Sequence, residues 1–208
     1  ETANEFEIFE VDVSGTRFIR VFRDGAQIAS LPGTAMAGQT ITIEGLTDTD
    51  SLVVDYTGAI ALLNVNIVFN GGDDPGDNDT LTINDSPGDA VTIVHTILTT
   101  VPDFSGTIDY DNDGNGSFER RVSYTGLEPV LDNVSAVNRE FIFTGAAETV
   151  TFDSLAAPGM LRIQSTLGEQ IDFLRPTDTL TINLTTGADV LNTANTNGPI
   201  LLTGDLTI

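Results

Sequence analysis

The sequence predicts an all-β protein: a parallel β-helix (β-solenoid) over residues 39–208, preceded by a short antiparallel β-meander over residues 1–38. Apolar side chains recur at every second position among Thr and β-branched residues, and helical spacing is nearly missing. Short apolar phrases echo one another along the chain, and Gly, Asn and Asp stand between them where corners are needed.

The meander is read from residues 6 to 31. Phe9, Val11 and Val13 alternate, Ser14-Gly15 turns, Phe18 to Phe22 forms a second strand, Asp24-Gly25 turns again and Ile28 follows. From Gln39 onward the pattern becomes a loose repeat. Ile41-Thr42-Ile43-Glu44-Gly45 is echoed 26 positions later by Ile67-Val68-Phe69-Asn70-Gly71, and Leu180-Thr181-Ile182 by Leu206-Thr207-Ile208 at the same distance. Related triplets stand at Leu81-Thr82-Ile83 and Val91-Thr92-Ile93. Phe141-Ile142-Phe143, Leu161-Arg162-Ile163 and Leu180-Thr181-Ile182 read as strands of successive coils, with corner insertions accounting for their spacing.

A second phrase places a Gly, then an acid, then alternating apolar residues: Gly45, Asp48, Leu52, Val54; Gly71, Asp73, Asp79, Leu81, Ile83; Gly145, Glu148, Val150, Phe152; Gly187, Asp189, Leu191. Each phrase supplies a strand, a sharp corner and another strand, too little to bury its own apolar side. Stacking the units buries a continuous interior. An Ig-like sandwich would instead need Greek-key connections, which triplets followed by Gly-acid corners fit poorly.

Composition narrows the function. The chain carries 31 acidic residues against 8 basic ones, all Arg, for a formal net charge of -23. Such a surface repels nucleic acid and anionic lipid, and reads either as a solvated, highly soluble face or as one that binds divalent cations through its carboxylates. Cys is absent, so disulfides, thiolate metal sites and Cys nucleophiles drop out. No apolar run approaches the roughly 20 residues that span a bilayer, so no membrane insertion is expected. The start, Glu1-Thr2-Ala3-Asn4, reads as processed or excised from a longer chain.

The Gly-acid phrases, together with Val122-Ser123-Tyr124-Thr125-Gly126-Leu127-Glu128-Pro129-Val130, resemble the β-solenoid repeat regions of giant secreted bacterial surface proteins, adhesin-like and haemolysin-type. The resemblance implies an extracellular place at the bacterial cell surface, calcium affinity and a stalk or adhesive role. The strict calcium-binding nonapeptide of haemolysin-type repeats does not occur; Gly71-Gly72-Asp73-Asp74 is only an echo of it.

The strongest metal candidate is Asp109, Asp111, Asp113, Asn115 and Glu119. Oxygen ligands at alternate positions followed by Gly114 match the first half of an EF-hand-type Ca2+ loop, although Arg120 stands where that loop would close and the acid falls one residue earlier. Asp73, Asp74, Asp77 and Asp79, around Pro75-Gly76, form a second acidic group that reads as a solvated corner. His95 is the only histidine and reads as a core or wall residue with one hydrogen bond. Catalysis is not expected, since the acids sit mostly in corners, Lys and Trp are absent and Tyr numbers three.

The expected role is therefore a structural or fibre-forming surface protein, calcium-stabilised, stacking end to end. Arg17, Arg20 and Arg23 at one end, and Leu206 and Ile208 at the other, are the candidate assembly residues, although the three arginines also read as solubilising charges on an edge strand. An adhesin or carbohydrate-binding module recognising glycan or cell surface is the alternative, and a polysaccharide-active β-helix enzyme the third reading.

Overall fold

The computed structural model describes residues 3–57, 64–72, 78–85, 90–98, 104–145, 147–185, 188–194, 197 and 206–208. The first three strands, β1 (Glu5–Val13), β2 (Thr16–Arg23) and β3 (Ala26–Pro32), form an antiparallel meander. Ser14-Gly15 and Asp24-Gly25 all take positive φ, the backbone of tight hairpin turns. The buried face is Phe6, Ile8 and Glu10 on β1 with Ile19 and Val21 on β2. Phe9, Val11 and Val13 lie on the opposite face, where Phe9 stacks on Phe22 at 5.3 Å. A single turn, α1 (Gly33–Met36), packs on β2 and β3.

The chain then alternates between two sheets. β4 (Thr40–Glu44) founds the second sheet, β5 (Ser51–Asp55) lies parallel to β1 in the first, β6 (Asn66–Asn70) to β4, and β7 (Thr80–Asn84) to β5. At the next crossing the chain overshoots. β8 (Ala90–Leu98) enters the second sheet beyond the place next to β6; β9 (Ser105–Asp111) returns antiparallel to it, and β10 (Arg120–Thr125) fills the gap, parallel to β6. Alternation resumes with β11 (Val130–Asn133) on β7 and β12 (Ala136–Phe143) on β8.

The same overshoot and return occurs in the first sheet. β13 (Thr149–Ser154), β14 (Met160–Ser165) and β15 (Gln170–Leu174) follow one another in antiparallel succession, and β15 settles parallel to β11. β16 (Thr179–Leu184), β17 (Val190–Ala194) and β18 (Leu206–Thr207) then add in parallel to β12, β13 and β16. The protein is thus all-β, in two mixed sheets with no closed barrel. Leu161-Arg162-Ile163 corrects the expectation of three successive coil strands: it is the middle, antiparallel strand of the returning meander, in the other sheet from Phe141 and Leu180. Because β1 pairs with β5, the meander shares a sheet with the repeats that follow it.

The 26-residue echoes are spatial neighbours. Ile41 lies opposite Ile67 and Ile43 opposite Phe69, while Asn70 Nδ2 donates to Glu44 Oε2 at 2.9 Å. Leu180 likewise faces Leu206. Inward residues of the two sheets, among them Leu52, Leu81, Val130 and Phe173 from one and Ile67, Phe69, Phe141 and Ile182 from the other, form one buried cluster. Removing that apolar area from water is the main stabilisation of the stack.

Two columns hold the corner between the sheets. Gly45, Gly71 and Gly126 stack: a Cβ on Gly45 would lie 2.5 Å from the Gly71 carbonyl oxygen, and one on Gly71 would lie 2.3 Å from that of Gly126. Only glycine permits this approach. Beside them runs a column of acids. Asp50 Oδ1 accepts the Asn4 N–H at 2.6 Å and its Nδ2 at 2.8 Å, Asp79 Oδ1 accepts the Asp50 N–H at 2.6 Å, and Asp189 Oδ1 accepts the Glu148 N–H at 3.1 Å. Each carboxylate closes a backbone donor at the start of the neighbouring strand, a charged bond of about 1.5–3 kcal/mol. The acid of the first corner phrase is therefore Asp50; Asp48, expected there, is exposed at φ 74°.

Candidate functional site

The β9–β10 hairpin builds the acidic loop. Asp111, at the end of β9, accepts the Gly114 N–H on Oδ1 at 2.7 Å and the Gly116 N–H on Oδ2 at 2.9 Å. Glu119 Oε2 accepts the Asn112 N–H at 2.8 Å, and Asp113 holds the backbone and side chain of Asn115 at 3.1 and 2.9 Å. These bonds fold the loop back so that Asp111, Asp113 and Glu119 each place an oxygen within 4.8 Å of the others. Three hard oxygens at that spacing suit Ca2+, which takes six to eight such ligands. Asn112 Oδ1, buried and without a hydrogen-bond partner among the described residues, belongs to the same loop.

Two residues expected in the set are used elsewhere. Asp109 stands opposite Arg121 across the hairpin, and its two oxygens take Arg121 Nε at 2.6 Å and Nη2 at 3.0 Å. Asn115 spends its Nδ2 on Asp113 and its Oδ1 on the Ser117 N–H at 2.7 Å. Asp73, Asp74 and Asp77 lie outside the described residues; Asp79 is a buried member of the corner column.

Two arginines of the meander have partners close by. Arg17 pairs with Glu10 at 2.7 Å, and Arg23 Nε donates to Asn4 Oδ1 at 2.9 Å with Asp24 at 3.7 Å. Arg20 is half-buried on β2, with its Nε unpartnered among the described residues. Leu206 joins β16 through its backbone, and Ile208 is exposed.

The sequence reading missed two buried ion pairs. Arg120 reaches Asp85 at 2.5 Å, and its guanidinium lies 4.2 Å from the ring centre of Tyr56 and 4.3 Å from that of Tyr110. Burial pushes the Tyr56 phenol up to about 12. Arg139 bonds Asp132 and donates to the Val134 carbonyl at 2.6 Å, while His95 Nε2 lies 3.0 Å from Asp132 and its ring stacks on Phe141 at 4.6 Å. Burial lowers the His95 pKa, against the opposing pull of Asp132. The sequence carried a signal for both clusters: Arg120, Asp132, Arg139 and His95 occupy inward positions of strands whose other inward residues are apolar.

Among the described residues no helix is long and apolar enough to cross a membrane. No family model, no curated protein and no solved structure matches the chain.

Proposed function

We propose that the chain is a β-solenoid module of an extracellular bacterial surface protein, with a structural, stalk-like role and end-to-end association, steadied by Ca2+ at Asp111, Asp113 and Glu119. The reading rests on one observation above others: stretches 26 residues apart stand side by side in parallel register, at corners joined by repeated glycine contacts and carboxylate-to-amide bonds. A stack built that way extends by repetition, each unit offering the next the same edge chemistry. Edge strands stand at the ends of the two sheets, β3 and β17 in one, β4 and β18 in the other, and unpaired backbone along such edges recruits further strands.

Electron microscopy of the purified chain tests this. In millimolar Ca2+ we expect ordered filaments with strands perpendicular to the long axis, fraying after chelation as the hairpin carboxylates repel one another. Dispersed single particles under both conditions would remove self-association and calcium stabilisation from the reading.

A further inference from the structure

A pocket of about 480 Å3 opens beside the acid column, lined by Glu128, Phe104, Gln164, Glu169, Gln170 and Asn78, among others. Glu128 and Glu169 belong to one row of that column, since Val130 stands in register with both Leu81 and Ile171. Here the column's pattern breaks. The Glu128 N–H is already taken by the Asp79 carbonyl, at 2.7 Å, so the acid of the next strand has no such amide to close.

Glu169 is 2% exposed, yet neither of its carboxyl oxygens has a hydrogen-bond partner among the described residues. Every other buried acid among the described residues places at least one oxygen on a donor. Glu10 meets Arg17, Asp85 meets Arg120, Asp109 meets Arg121 and Asp132 meets Arg139; Asp50, Asp79 and Asp111 take amides, and Glu148 takes the Ser165 hydroxyl. An ionised carboxylate left bare there would cost several kcal/mol, so the acid either keeps its proton or meets a cation from outside the chain.

We propose that this pocket binds an organic cation, an alkylguanidinium or alkylammonium group, with its charge against Glu169 and Glu128 and its stem along Phe104 and Pro129. Among the described residues no basic side chain lines the pocket. Its volume falls in the range of small-molecule sites and far exceeds what a bare metal ion fills. The chain uses the same chemistry on its own cations: Arg120 combines a carboxylate with tyrosine rings, and Arg139 combines one with the Phe173 ring at 5.3 Å. The site does not depend on the reading of the stack as a stalk.

Burial first, and the charge of Glu128 second, push Glu169 up to about 8; the Leu127 amide pulls the other way more weakly, from outside hydrogen-bonding geometry. The other titratable groups nearby are Tyr124, whose phenol is raised by burial and by Glu169, and Glu148, reached through Ser165. A cation requires the ionised carboxylate, so affinity follows the ionised fraction and should rise on the order of tenfold or more between pH 6 and pH 8. A ligand held by the protonated acid would follow the opposite trend.

The test is an NMR titration of the whole chain with n-butylguanidinium, and in parallel with a Gly-Arg-Gly peptide, at pH 6, 7 and 8. Saturable shifts at Gln164, Gln170 and Glu169 that strengthen with pH and fall more than tenfold in Glu169→Gln support the site. Preference for the free guanidinium or for the peptide then says whether a small amine or a protein side chain is the natural source. Glu128→Gln, at an exposed rim position, should weaken binding several-fold and lower the Glu169 carboxyl midpoint seen by 13C. The proposal is overturned by no saturable binding of either probe, by binding that survives Glu169→Gln, by binding that weakens with rising pH, or by occupancy of this pocket with Ca2+ or methyl glucoside alone.

Discussion

Asp132→Ala is expected to destabilise the protein by about 3–5 kcal/mol, the cost of leaving a buried guanidinium without its counter-charge. Arg139 and Asp132 have no side-chain exposure, and the carboxylate is a hub: its Oδ1 accepts the Val134 N–H at 3.0 Å and its Oδ2 meets both Arg139 and His95. Burial by itself would raise the Asp132 pKa, but Arg139 and His95 outweigh it and hold the carboxyl well below the usual range. Since the folded value lies below the unfolded one, the stabilisation is complete above the ordinary carboxylate range and fades only as acid drives the pH down through it.

Urea denaturation at pH 7 measures the loss, and an acid series separates its cause. The Asp132→Ala variant should lose the part of the acid limb that belongs to this group. Replacing the pair together, Asp132→Leu with Arg139→Met, should recover most of the deficit because no charge is left stranded. A single variant within 1 kcal/mol of the parent on that ~3–5 kcal/mol scale would mean that the guanidinium finds another partner or water.

The second large effect is expected at a corner. Gly71→Ala puts a methyl group 2.3 Å from the Gly126 carbonyl oxygen and 2.7 Å from Asp79 Cβ. The first neighbour is backbone held in register and cannot yield without separating β6 from β10, so the loss should be on the order of 3 kcal/mol or more. Gly116→Ala is the comparison: its φ is 83°, but a Cβ there meets nothing within 4 Å. That variant bears only the left-handed backbone strain, about 1–2 kcal/mol. Thermal unfolding of the two side by side checks the ranking, and equal losses would show that close approach is not what glycine serves at position 71.

The all-β class and the pairing of the echoes were legible, because stretches 26 residues apart in the chain are neighbouring parallel strands. Ile41 and Ile67 echo each other in sequence and touch across two strands. The overshooting strands were not legible, because a returning antiparallel strand shows the same two-residue alternation as a parallel one. Leu161 and Ile163 face inward just as a coil strand would. For the acidic loop, the oxygen-ligand spacing pointed to Asp111, Asp113 and Glu119, which the fold gathers, and equally to Asp109, which it does not. Its fate is decided by hairpin register, which sets it against Arg121. Glu169 stayed hidden for a different reason. What singles it out is a missing partner, and a partner's absence is a property of three-dimensional neighbours alone.

The overshoot and return in each sheet also sets how the stack responds to tension. A uniform array pulled from one end peels strand by strand, each step breaking a single ladder. Here, once β17 and β16 are drawn away, β15 does not come off alone, because it is hydrogen-bonded to β14 on one side and β11 on the other. The three strands from β13 to β15 must release together, and deeper in the stack the same holds for β8 to β10. Each meander acts as a pawl on an otherwise zipper-like column, dividing it into blocks that yield in few, large events.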